Sequence, residues 1–133
     1  MTMRIYLDSA PLIYLVENIA PYTSTLATRL AAPGTTQVCS ELLRLECRVK
    51  PIRDGEAALL IAFDSYFTGI ISEVIPLTRP VVDLATELRA RYGFKTPDAI
   101  HLAAAIAGGC DLFLTNDYGL DKCAEITVEV VAP

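Results

Sequence analysis

Four acidic residues are the first candidates for chemistry: Asp8 in IYLDSA, Glu46 in SELLRLE, Asp98 in KTPDAIHLAAA and Asp117 in LFLTND. Each lies where the chain changes direction or within an otherwise apolar helical run. Carboxylates are strongly hydrated and repel one another when gathered, so a fold that collects several must offset that repulsion. A hard divalent cation, which takes oxygen ligands, is the usual means. Together the acids define a candidate cation site.

Taken singly, most of them have a plainer explanation. Asp8 and Asp117 follow apolar runs, where an aspartate commonly starts a turn or caps a helix. Asp98 follows Thr96 and Pro97, read as N-cap and first helical residue, and an acid in the first turn gains about 0.3–1 kcal/mol from the helix dipole. Glu46 has the weakest such account. Residues three and four apart share a helix face, so its neighbours are Leu42, Leu43 and Val49, and a carboxylate on that stripe is costly unless paired or coordinated. Glu41, in the first turn of the same helix, needs only solvent.

Around the acids, Ser9 and Thr115 offer hydroxyls for orienting hydrogen bonds, and Asn116 offers an amide suited equally to a turn. No His or Lys stands beside either hydroxyl in sequence, which weakens a covalent mechanism. His101, one turn after Asp98, is read as packing or hydrogen-bonding rather than ligating metal.

The elements that must position these residues alternate in type. Residues 4–7, 36–39, 70–75, 112–114 and 127–131 read as strands. Residues 11–17, 22–32, 41–49, 54–67, 80–92 and 96–107 read as helices, with Pro11 in a first turn and Ser40 as a cap. Alternating strands and helices imply one α/β domain over residues 1–133, with a central, mainly parallel sheet flanked by helices on both faces. Ligands bind such sheets beyond the carboxyl ends of the strands, which places Asp8 and Asp117 at one edge. The apolar helix AIHLAAAIA must be buried, bringing Asp98 towards the same edge.

Composition narrows the classes. At 133 residues, 53% hydrophobic and 20% charged, the chain has enough apolar content for a core without disulfides and some to spare for a partner surface. Leu12, Ile13, Leu15 and Val16 cover more than one helix face, which either a partner groove or a packed core explains. No run is long and apolar enough to span a membrane, and the amino terminus lacks a signal-peptide core; the expectation is a cytoplasmic protein. Four cysteines without CxxC spacing and a single histidine argue against structural zinc. The net charge of −5 runs against nucleic-acid binding. Setting the four candidate ligands aside, however, leaves twelve acids against eleven bases, and bound cations reverse the sign of a cleft.

The motifs LDSAPLIYLVE, SELLRLE, TPDAIHLAAA and LTNDYGL, in this order and spacing, resemble a PIN domain, and particularly the VapC type of toxin–antitoxin ribonuclease. The resemblance covers nearly the whole chain. It implies a Mg²⁺- or Mn²⁺-dependent endoribonuclease with ligands at Asp8, Glu46, Asp98 and Asp117, a homodimer inhibited by a cognate antitoxin, and structured RNA such as tRNA or rRNA as substrate. On this reading Asp8 and Asp117 are the most central acids, with direct ligation expected at least from Asp8. Arg44, Arg48, Lys50 and Arg53, then Arg89, Arg91 and Lys95, are candidate contacts to RNA phosphates, or simply solvated helix faces. A haloacid dehalogenase-type phosphatase would need an acid where Ala10 stands, and a receiver domain has only Lys122 for its late lysine. The serious alternative is a PIN-like module that binds RNA or protein with little or no turnover.

Overall fold

The apolar runs that end at Asp8 and Thr115 lie side by side. In the computed structural model, which describes residues 2–131, five strands form one sheet: β1 Met3–Leu7, β2 Thr35–Ser40, β3 Glu73–Ile75, β4 Leu112–Thr115 and β5 Thr127–Val130. Their order is β3-β2-β1-β4-β5, and every pairing is parallel. Parallel strands need crossovers, supplied by α1 Ser9–Val16, α2 Tyr22–Leu30, α3 Glu41–Arg53, α4 Ala57–Gly69, α5 Arg79–Tyr92 and α6 Thr96–Ala107. The domain is thus α/β with a fully parallel sheet.

Strand alternation assigns the two faces. Ile5 and Leu7 of β1 pack with Cys39, Leu112 and Leu114 under α1–α4, through Leu12, Leu26, Leu43, Phe63 and Phe67. Tyr6, between them in sequence, points the other way, into a cluster with Val38, Phe113 and residues of α5 and α6. The chain runs outward from β1 through β2 to β3 with crossovers on the first face. It then returns beside β1 as β4 with crossovers on the second. The reversal falls between β1 and β4, and that switch point is where such sheets open a crevice at their carboxyl edge.

Several boundaries differ from the sequence reading. The apolar run 70–75 is a strand only from Glu73, because α4 continues to Gly69 and Ile70 closes it with a bond from its N–H to Tyr66 O. Helix α3 runs past Pro51 to Arg53; the proline ring is buried on this helix's inner face, which offsets the hydrogen bond its missing N–H forfeits. Helix α1 begins at Ser9 with Asp8 as its N-cap, so Pro11 sits third in the helix, still among the N–H groups that lack an intrahelical partner. The N-cap of α6 is Lys95, placing Thr96 and Pro97 inside the first turn.

Leu12 is buried, and Ile13, Leu15 and Val16 are partly buried against the core, so the packed-core explanation holds for α1. The apolar surplus emerges elsewhere: Leu45 is 59% exposed, Val49 49% and Ile52 58%, all on α3. Cys39, Cys47 and Cys123 are buried free thiols. Burial pushes Cys39 and Cys47 up to about 12, which makes them inert packing residues. Among the described residues, no helix is long and apolar enough to cross a membrane.

Candidate active site at the carboxyl edge

Asp8 leaves β1 at the switch point and is fixed at both carboxylate oxygens. Its backbone N–H donates to Leu114 O at 2.9 Å, extending the β1–β4 ladder one step. Its Oδ1 accepts from Ser9 N at 2.8 Å, and its Oδ2 accepts from the Thr115 hydroxyl at 2.7 Å. Asp8 and Thr115 are both buried. A carboxylate held in this way loses little further side-chain entropy on binding a ligand.

Thr115 joins two of the acids. While its hydroxyl donates to Asp8, its oxygen accepts the backbone N–H of Asp117 at 3.1 Å. Asp117 is far more open to solvent than Asp8. It is exposed, and its Oδ1 caps the 3-10 turn Tyr118–Lys122 by accepting from Gly119 N at 2.8 Å. Two residues past the strand end are enough to carry it to the rim. Asn116 donates to the Tyr14 hydroxyl at 3.2 Å, tying this loop to α1.

Asp98, third in α6 and half-buried, completes the acidic edge. Burial pushes its carboxyl above the ordinary carboxylate range, helped by the charges of Asp8 and Asp117 and opposed by His101 and Lys95. Burial and two like charges here outweigh the favourable helix dipole. The sign of the consequence follows. The folded state binds this proton more tightly than the unfolded chain, so the group costs stability progressively as pH rises through the window above the ordinary carboxylate range. Asp98→Asn is therefore expected to raise the melting temperature at neutral pH and to gain nothing in acid, where both states are protonated. Thermal denaturation at the two pH values checks this.

Glu46 comes to the same edge paired with a histidine that also neighbours Asp8. Its Oε1 lies 2.6 Å from His101 Nε2, and its side chain remains 28% exposed. The apolar stripe expected around it is half solvated, because Val49 faces outward, so its burial cost is smaller than the sequence implied. His101 Nε2 also stands 3.8 Å from Asp8 Oδ1. That is too long for a hydrogen bond yet close enough for attraction.

Two polar residues that sequence reasoning passed over complete the site. The Tyr6 hydroxyl lies 2.7 Å from His101 Nδ1 and 2.8 Å from the Ser40 hydroxyl, sharing a hydrogen bond with each. Ser40 stands at the N-cap of α3 as expected, but its side chain makes no capping bond; its hydroxyl serves Tyr6 instead. The one available signal was Tyr6 two residues before Asp8, on the same face of the strand.

Most of the candidate RNA contacts have intramolecular partners. Arg44 pairs with Glu41 at 3.2 Å, Arg48 with Asp64 at 2.9 Å, Arg53 with Asp54 at 3.0 Å, and Arg91 with Glu125. Arg89 donates to Phe94 O at 2.8 Å. Among the described residues, Lys50 and Lys95 enter no such pair; both are exposed, and Lys95 adjoins Asp98. The apolar residues Leu42, Leu45, Val49, Ile52 and Leu77, with Glu41, Arg44, Arg48 and Arg53, line an open groove of about 770 Å³.

The family model described as PIN domain matches residues 5–126, and the chain belongs to the PIN domain family. Solved structures share its fold at low identity. A chain of the VapBC2 complex from Rickettsia felis, bound to a DNA fragment from its promoter, superposes with a TM-score of 0.79 at 16% identity, covering 98% of this chain and 100% of that one. VapC20 of Mycobacterium tuberculosis, a sarcin–ricin loop cleaving toxin, gives 0.77 at 17% identity over 96% and 99%. A toxin–antitoxin complex from Klebsiella pneumoniae gives 0.71 at 19% identity over 92% and 95%. The fold is therefore that of the PIN toxins. Comparison with curated protein sequences gives no match.

Proposed function

We propose that this PIN domain is a metal-dependent endoribonuclease, the toxin of a toxin–antitoxin pair acting on structured RNA in the cytoplasm. One observation carries the reading: three carboxylates, Asp8, Asp98 and Asp117, share the carboxyl edge at the switch point, where burial and then the charges of the other two push the Asp98 carboxyl upward. Unrelieved repulsion at a crevice is a standing cost, which a bound cation converts into affinity.

The donor set fits a hard cation by its chemistry, being carboxylate oxygen throughout. Among the described residues, no three His, Cys, Asp or Glu side chains are grouped tightly enough to hold an ion alone. An ion here would therefore be held by only one or two carboxylates, as Mg²⁺ or Mn²⁺ can be, with water filling the remaining positions. Asp8 would be the direct ligand, and Asp98, Asp117 and Glu46 would act from greater distance. When bound, the ion supplies a water of lowered pKa and a counter-charge for the phosphate.

The chain's own part is orientation and charge. Thr115 and the Ser9 N–H fix Asp8. Lys95, beside Asp98, adds a positive charge where an RNA phosphate would enter, and the amino ends of α1 and α6 direct their dipoles to the same edge. Hydrolysis adds water across one P–O bond, the water oxygen going to phosphorus and a proton to the departing oxygen. Cleavage of total RNA in the presence of Mg²⁺ or Mn²⁺ tests the reading; no metal-dependent products from wild type would sink it.

A cognate antitoxin and a second copy of the chain are the protein partners implied by the toxin reading, and the uncovered apolar face of α3 supports a protein partner. If an antitoxin covers that face, Leu45→Glu combined with Ile52→Glu should abolish co-purification with the product of a neighbouring short reading frame. Retention of the complex would move the interface elsewhere. The alternative, a PIN-like binding module without turnover, draws support from the spread of the acids; RNA retention without cleavage in the same assay would select it.

A further inference from the structure

We infer that His101 is a positioning residue that aims Glu46 at the acidic edge, with its ring held in turn by Tyr6 and Ser40. The inference rests on the nuclease reading of that edge. His101 is 1% exposed, and both Tyr6 and Ser40 are fully buried. Both ring nitrogens are engaged, Nδ1 with the Tyr6 hydroxyl at 2.7 Å and Nε2 with Glu46 Oε1 at 2.6 Å. A carboxylate only accepts, so Nε2 carries the proton that Glu46 receives. Nδ1 accepts the Tyr6 O–H in a neutral ring, the Ser40 hydroxyl then donating to Tyr6, or donates to Tyr6 in a doubly protonated ring, Tyr6 then donating to Ser40. Either arrangement leaves Nε2–H directed at Glu46.

The placement of these groups goes beyond what a buried histidine needs for its own satisfaction. Tyr6 lies on β1 two residues before Asp8, Ser40 ends β2 at the start of α3, and His101 lies one turn after Asp98 on α6. Glu46 reaches the ring from α3, in the opposite helical layer. The chain Ser40–Tyr6–His101–Glu46 therefore joins, over the sheet edge, the elements that carry Asp8, Glu46 and Asp98. With Nε2 only 3.8 Å from Asp8 Oδ1, the imidazole also stands between two carboxylates and sets their separation. The exposed part of Glu46 has one fixed direction as a result. Without the ring, the side chain would have its full set of rotamers and no partner among the described residues.

The test is a double-mutant cycle with His101→Phe, Tyr6→Phe and Glu46→Gln. Phenylalanine keeps much of the volume of the replaced ring, and Tyr6→Phe removes a single oxygen. Metal-supplemented RNA cleavage, Mn²⁺ affinity by electron paramagnetic resonance and melting temperature are the readouts. Removing an outer-shell group at a metal site costs about 10- to 100-fold in affinity or activity, so His101→Phe, which acts through the outer-shell Glu46, is expected to lose up to that much. The loss should fall in kcat and Mn²⁺ affinity and leave the KM for RNA unchanged, since His101 is buried. Positioning through Glu46 further requires that His101→Phe cost nothing more in a Glu46→Gln background, whereas independent sites would add. If His101→Phe does not fold, Tyr6→Phe carries the same cycle with a several-fold loss expected. Wild-type activity in the folded variants, or losses that add to that of Glu46→Gln, overturns the positioning role while the nuclease reading stands. A wild-type protein that neither cleaves RNA nor binds Mn²⁺ overturns both.

Discussion

Asp8→Asn is expected to lower metal-supplemented RNA cleavage by about a thousand-fold or more while leaving the fold intact. The first half follows from the charge. Asp8 is the acid at the switch point with both oxygens fixed, and the counter-charge a ligated ion provides contributes several kcal/mol to the transition state, with roughly 1.36 kcal/mol per tenfold in rate. The second half follows from the shape. Asparagine is as good an N-cap as aspartate, and its side-chain oxygen can still accept either the Ser9 N–H or the Thr115 hydroxyl. Removing one of the clustered charges also lowers the proton affinity of Asp98. Single-turnover cleavage with circular dichroism on the same samples checks both halves. Activity within tenfold of wild type would show that Asp8 does not carry the reaction.

The largest stability effect is expected at Phe113. It is fully buried and stacked on Tyr6, with centroids 5.3 Å apart and planes within 8°. Truncating such a ring to alanine costs about 3–5 kcal/mol, from lost burial and the cavity left behind. Against a typical total of about 5–15 kcal/mol, that is a large share. The position also matters for the site. Phe113 stands two residues before Thr115 on β4, and Tyr6 two before Asp8 on β1, with Tyr6 and Phe113 in register. Phe113→Ala should therefore lower the urea midpoint at unchanged slope, and cost activity even under conditions where the protein remains folded. A midpoint shift worth less than about 1 kcal/mol would mean that the core closes around the gap.

Much of the fold was legible because its signals are local. Alternating apolar runs and helical periodicities, punctuated by Pro and Gly, give a parallel α/β sheet. Gly93, in the left-handed conformation at φ 74°, ends α5 where the sequence reading placed the stop. The errors arose where tertiary burial overrides local preference. Pro51 remains within α3 because its ring is buried, and the run 70–75 is a strand only in its second half, because α4 reaches Gly69 and Ile70 closes it, leaving Glu73–Ile75 to pair with β2. The surplus of apolar residues on α1 left a partner groove and a packed core equally open; α1 is closed into the core, and α3 carries an exposed apolar face.

For the site, the sequence alone determined which residues are present: four acids in family spacing, two of them directly after strands and one opening a buried helix. Their oxygen chemistry and placement at one sheet edge follow from alternation and parallel topology. Only the tertiary structure decided how they are placed and what each one touches. Asp8 is held at the centre, Asp117 turns to the rim to cap its own loop, and Glu46 meets His101 across two helical layers. Ser40 gives up a cap to hold Tyr6. Such choices depend on which donor lies within about 3 Å of which acceptor. Contacts between residues as far apart in the chain as Tyr6, Glu46 and His101 are set by strand order and helix packing, which no local pattern records.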